Sequence, residues 1–252
     1  MTGSGSGAFP GNTGRLRACL LVVAIAAAAA GCSSGPPVPD WQLEAQASLQ
    51  RATQAYLAGD ARIAAVEFER ARRELARTGR ADRVAIAELT RCATQVASLE
   101  LLHTAASGRP ACPAFEPLRA DAGEAAAAYA DLLRAPLAAA RIGQLPVTQQ
   151  AAAAAGDDAA RREAAVRAIA DPLSRLVAAA LALRDGVAPP GLIAEAVDTA
   201  SAQGWRRPLL AWLTVQLRRA EAAGDSGAAQ ALQRRIELVG SAGPAGSAGV
   251  GR

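Results

Sequence analysis

From Asp40 onward the apolar residues return every three or four positions, the spacing of helices that bury one face. Trp41, Ala45, Leu49, Ala52 and Tyr56 form one stripe, with Asp40 placed to cap it and Gly59 to stop it. Asp60 opens a second helix, which buries Ala64, Phe68, Ala71 and Leu75 before Gly79. Leu89, Cys92, Val96, Leu99 and His103 make a third stripe, predicting a helix to about Ala105 with Cys92 on its inward face. Pro117 opens a helix through Tyr129 and Leu133. The Ala-rich stretch 136–170 breaks at Pro146 and Gly156 into two short helices. Asp171-Pro172 then begins a run of four helices: Pro172 to Arg184, Pro190 to Ala202, Trp205 to Ala222, and Ser226 to Val239. No alternating β-branched run is long enough for a sheet, so the fold class is all-α, built of antiparallel helical hairpins.

The chain ahead of Asp40 follows a different rule. Arg15 and Arg17 precede an apolar run, Ala18 to Ala30, that ends at Gly31-Cys32-Ser33-Ser34 and the Pro-rich stretch 36–39. A positive segment, a short apolar core and a small residue at a cleavage point make a secretory signal. A span needs about 20 apolar residues, so this run is too short to cross a bilayer. Ala29-Ala30-Gly31-Cys32 resembles the lipobox of bacterial lipoproteins. The resemblance implies cleavage after Gly31 and acylation of Cys32, whose three chains at about 0.8 kcal/mol per buried methylene hold far more firmly than one. Ser33, rather than Asp, after the cysteine implies transport to the outer membrane, with the domain facing the periplasm. The expected organisation is signal peptide 1–31, linker 32–39, helical domain 40–239 and a disordered tail 240–252. The domain comprises N-terminal helices over 40–135, the Ala-rich middle over 136–170 and C-terminal hairpins over 171–239. Residues 1–14, Gly- and Ser-rich and uncharged, are an unusual preface to a signal and point to a translation start further downstream.

Composition narrows this picture. Half the chain is apolar (51%), yet aromatics make up only 3%, so the packing is that of closely approaching Ala-rich helices. Every basic residue is Arg. That pattern fits either a surface for phosphate or lipid A, or the coding bias of a GC-rich genome, and the interspersed Asp and Glu favour the second. Cys19 leaves with the signal. Cys92 and Cys112 are then the mature domain's own cysteines, and an oxidising periplasm makes such a pair a disulfide candidate. The stretch Ala106 to Cys112, with its Gly108-Arg109-Pro110 break, can return roughly the 20 Å that a helix to Ala105 would climb.

Ala52, Gly59, Asp60, Ala64, Phe68 and Ala71 fall at the spacings of small residues, turn and aromatic in tetratricopeptide repeats, so Glu44 to Thr78 resembles one such hairpin. Ala220, Gly224-Asp225 and Ala229 resemble a second, degenerate turn, and Arg184-Asp185-Gly186 a third. A non-repeating helical bundle using the same turn chemistry is the alternative. The segment Asp198 to Trp212 is similar to the C-terminal signature of an uncharacterised bacterial lipoprotein family, a likeness that brings no activity with it.

Candidate chemistry is sparse. His103 is the single histidine, so a Ser-His-Asp or Cys-His site would depend on it, and its spacing places it on the stripe of Cys92. Glu67, Glu69, Glu74 and Glu100 lie beside arginines, as solvated ion pairs do. Asp157-Asp158 reads as a helix cap. These patterns predict no cofactor, no metal site, no nucleic-acid partner and no enzyme activity. Trp205, Arg206 and Arg207 are the candidate protein-binding residues, because Trp and Arg dominate binding hot spots. The alternative for them is a helix start in which Trp205 packs inward. The expectation is an outer-membrane-anchored lipoprotein whose helical domain binds or scaffolds another envelope protein. A glycan-acting enzyme and a carrier of an apolar ligand are the rivals.

Overall fold

A computed structural model describes residue 3 and residues 38–100 and 112–242. Cys32 and the lipobox, His103, the 108–110 break and most of the tail lie outside the described residues. The chain divides at Pro39–Asp40 into two compact units, of which the second begins at Asp40.

Among the described residues that unit is all α-helix with short 3-10 turns. The helices are α1 (Asp40–Ala58), α2 (Ala61–Ala76), α3 (Ala81–Ala97), α4 (Glu124–Arg134), α5 (Val147–Ala154), α6 (Ala159–Arg167), α7 (Pro172–Arg184), α8 (Pro190–Ala202), α9 (Arg206–Ala222) and α10 (Ser226–Ser241). One turn chemistry recurs between them. At the α1–α2 junction Gly59 donates to Tyr56 O and Asp60 N donates to Ala55 O, while the Asp60 carboxylate caps Ile63 N at 3.0 Å. Gly224-Asp225 repeats this pattern before α10, with Asp225 capping Ala228 N at 2.9 Å. Each cap satisfies one of the orphan amides of a helix N-terminus. Asp158 and Asp171 cap α6 and α7 in the same way, so Asp158 has the structural role expected of it.

The same turn also joins α8 to α9, but with a different residue in the capping place. Gly204 donates to Ser201 O and Trp205 N to Ala200 O, and Trp205 has backbone angles (φ −82°, ψ 91°) close to those of Asp225 (φ −81°, ψ 83°). Trp205 therefore stands where the α1–α2 and α9–α10 junctions carry Asp. Its side chain makes no cap; it is free to reach another helix.

Three expected boundaries differ. α3 ends at Ala97, well short of Ala105, without a glycine. Leu99 takes the left-handed conformation (φ 63°), and Glu100 N closes on Gln95 O at 3.1 Å. A left-handed leucine costs roughly 1–2 kcal/mol. Two contacts offset it: Leu99 packs on the main core, and the buried indole of Trp212 donates to the Ala97 carbonyl at 3.2 Å. Around Pro117 the chain forms a 3-10 turn, Glu116–Leu118, and the helix begins at Glu124 after Gly123. Extending α10 to Ser241 moves the expected domain end by two residues.

The hairpins close on one another: α3 packs on α7, and α9 packs on both α8 and α1. The main core runs from Leu57 through α3 and α4 to Leu213, filled by Phe115, Trp212 and many alanines. Most of the α1–α2 hairpin lies outside it, on a small cluster of Ala52, Phe68 and Ala87 flanked by Leu49 and Leu75.

Candidate protein-binding socket

Cys92 and Cys112 are joined by a disulfide with a Cα–Cα separation of 5.5 Å across 20 positions of sequence. Both are buried, and Cys92 faces inward as its stripe predicted. The bond ties α3 to the turn ahead of Glu116.

The Trp205–Arg207 corner is built into the fold. Trp205 is 6% exposed, and its indole donates to Gln54 Oε1 at 3.1 Å. Arg207 donates from Nε to Tyr56 O at 2.9 Å and from Nη1 to Glu100 Oε1 at 2.7 Å, while its guanidinium stacks 4.3 Å from the centre of the Tyr56 ring. Arg206 lies against Gly59, where a Cβ would stand 3.1 Å from Nε and Nη2; with φ +96° besides, that position requires glycine. All three residues thus reach the end of α1. They clasp the N-terminal hairpin to the C-terminal helices; Trp205 packs inward and Arg207 pairs with Glu100, while Arg206 meets no carboxylate among the described residues.

A different surface is open. Between α1, α2 and α3 lies a socket of about 180 Å3, lined by Leu49, Tyr56 and Phe68 over a floor of Ala52, Ala61, Ala64 and Ala65. Small residues keep the floor low, and the narrow cluster beneath the hairpin leaves the space unfilled. Thr53, Thr94 and Gln95 supply its polar atoms. Arg91 lines it as well, with its guanidinium 4.8 Å from the centre of the Phe68 ring. Every neighbouring carboxylate is engaged elsewhere: Glu88 accepts from Arg72 at 3.0 Å, Glu67 from Arg51 at 2.9 Å, and Glu100 from Arg207. Arg91 is left with a ring face and no carboxylate among the described residues. Burial raises the Tyr56 phenol well above its ordinary range, the adjacent Glu100 carboxylate adds to this, and the phenol stays protonated throughout the physiological range.

The sequence stripes did not single out Arg91. A signal was present: its i±4 neighbours are Ala87 and Gln95, neither of them acidic. What the stripe could not convey is that Glu88, at i−3, turns inward to Arg72.

Among the described residues no group of three or more His, Cys, Asp or Glu is arranged to hold a metal ion, and no helix is long and apolar enough to cross a membrane. Glu88 is buried but ion-paired, and it does not line the socket. No protein-family model, no curated protein and no solved structure matches this chain.

Proposed function

We propose that the chain is a lipid-anchored envelope lipoprotein whose helical domain binds another envelope protein. In this reading Cys32 carries the acyl chains, on the strength of the Ala29-Ala30-Gly31-Cys32 junction. The socket at α1–α3 receives an apolar side chain of the partner that has a carboxylate beside it. The observation that carries the proposal is the pairing of an Ala-floored apolar socket with the cation of Arg91, which lies over the Phe68 ring and meets no carboxylate among the described residues. An apolar anchor in a pocket, oriented by one charge-assisted hydrogen bond, is the usual composition of an energetic centre in an interface.

The test places a photocrosslinking amino acid at Ala65, an exposed residue that lines the socket, in intact cells. The expected result is one discrete adduct that disappears in Arg91→Glu and persists in Arg62→Glu, a charge reversal on the exposed face of α2 outside the socket. An adduct indifferent to Arg91→Glu removes the socket from the proposal. Intact-mass analysis of the membrane fraction addresses the anchor separately, and an unmodified Cys32 would refute it. Hydrolysis of cell-wall glycan by the purified chain, abolished by one carboxylate substitution that leaves folding intact, would replace the binding reading with an enzymatic one.

A further inference from the structure

On another face, between the ends of α3 and α7 and the middle of α9, lies a larger cavity of about 570 Å3. Leu99, Leu183, Ala211 and Val215 form apolar walls, and Arg184, Arg218 and Arg219 line it too. That volume falls within the range of small-molecule sites.

The cations here outnumber the anions. Asp185 is shared by two guanidiniums, Arg184 at 2.8 Å and Arg162 at 3.3 Å, and all three side chains are within 8% of full burial. Arg184 also donates from Nη1 to Leu132 O and Leu133 O, which leaves its buried Nη2 with no acceptor. A buried guanidinium nitrogen in that state is an uncompensated donor. Glu100, the carboxylate in the cavity wall, is held by Arg207. Arg219 donates to the Ala188 carbonyl, and Arg218 is exposed, with no ion pair or hydrogen bond to any described residue. The arginines that alternate with acids along the sequence therefore gather here, and Arg218 and Arg219 line the cavity without a carboxylate among the described residues.

We propose that this cavity binds a phosphate-bearing amphiphile, with the anionic head on the exposed Arg218 and Arg219, the buried Arg184 adding positive charge behind them, and a short apolar chain against Leu99, Leu183, Ala211 and Val215. Guanidinium forks match phosphate oxygens in geometry and charge, and the apolar walls give the attached chain a place out of water. A free phosphate would use the arginines alone. The site is separate from the α1–α3 socket, and its fate does not depend on that reading.

The purified full chain is titrated calorimetrically with dihexanoyl phosphatidic acid, inorganic phosphate and dihexanoylglycerol. The expected order is phosphatidic acid at least about tenfold tighter than phosphate, with no binding of the uncharged glyceride. Arg218→Gln, at an exposed and unpartnered position, should weaken phosphatidic acid about tenfold with the melting temperature unchanged. Ala211→Trp should fill the apolar end, weakening phosphatidic acid while sparing phosphate. Absence of phosphatidic acid binding overturns the proposal, as does equal affinity for phosphate, equal affinity for the glyceride, or indifference to Arg218→Gln. Should Ala211→Trp fail to fold, the Arg218→Gln comparison decides.

Discussion

Truncating Arg207 to Ala should loosen the attachment of the N-terminal hairpin without disturbing the main core. The side chain makes three contacts that are lost together. The charged hydrogen bond to Tyr56 O contributes about 1.5 kcal/mol, toward the low end for such bonds, because that carbonyl keeps the Gly59 amide at 3.0 Å and is not orphaned. Stacking on the Tyr56 ring adds about 0.5–1 kcal/mol. The ion pair to Glu100 joins side chains 26% and 40% exposed, so screening holds it to about 0.5 kcal/mol. The loss comes to roughly 2–3 kcal/mol, or about 4–12 °C in Tm at the 2–4 °C per kcal/mol usual for a domain of this size. Urea unfolding followed by far-UV circular dichroism measures it. Glu100→Gln should cost far less than Arg207→Ala, and Arg207→Lys should recover less than half of the loss, since lysine lacks the planar fork. An Arg207→Ala protein within about 0.5 kcal/mol of wild type would refute the clasp, and Glu100→Gln as damaging as Arg207→Ala would refute the division of its energy.

Replacing Cys92 and Cys112 together by Ala should destabilise the domain by about 3 kcal/mol, the value for a closed loop of this length, and peptide mapping without reductant should recover the linked pair from wild type. Asp185→Asn should cost about 3–5 kcal/mol, because it leaves the buried guanidiniums of Arg162 and Arg184 without a counter-charge; a thermal melt within 1 kcal/mol of wild type would contradict the cluster. In acid, Glu116 is held below its ordinary range by Arg119. Burial alone would raise Asp131, but Arg141 and Arg119 outweigh it and lower it. Carboxyls depressed in the folded state contribute stability that is complete above their unfolded values near pH 4 and is lost as the pH falls through the folded ones. Arg119→Gln should therefore flatten the acid limb of a stability–pH profile below about pH 4, and a limb as steep as wild type would show that the group is not responsible.

What the chain discloses in its own order is the local part of the structure. Gly59-Asp60 and Gly224-Asp225 announce their turns because the positive-φ glycine and the capping carboxylate are adjacent in sequence. The end of α3 is hidden, since it is set by a leucine in a conformation that favours glycine and by an indole 115 positions away. Trp205 misleads for a related reason. Trp-Arg-Arg resembles a binding surface in composition, and only the tertiary fold shows the tryptophan in the turn position that Asp60 and Asp225 hold at two other junctions. Arg91 and Arg218 were illegible because their meaning lies in which carboxylates other arginines have already taken, a property of pairings between helices.

The clasp also orders events in time. Trp205 meets Gln54, and Arg207 meets Tyr56, across 151 positions, whereas the α1–α2 turn closes on its own neighbours. As the chain is made, the first hairpin can coil early, yet beyond Leu57 and the Arg72–Glu88 pair it rests on the small Ala52–Phe68–Ala87 cluster until α9 has been synthesised. Long-range closure of this kind is slow relative to helix formation, because the entropy of a long loop is lost before the contact forms. The first hairpin is accordingly the last piece to be locked and the first that a protease would find loose, and a fragment ending before Trp205 would leave it without its latch.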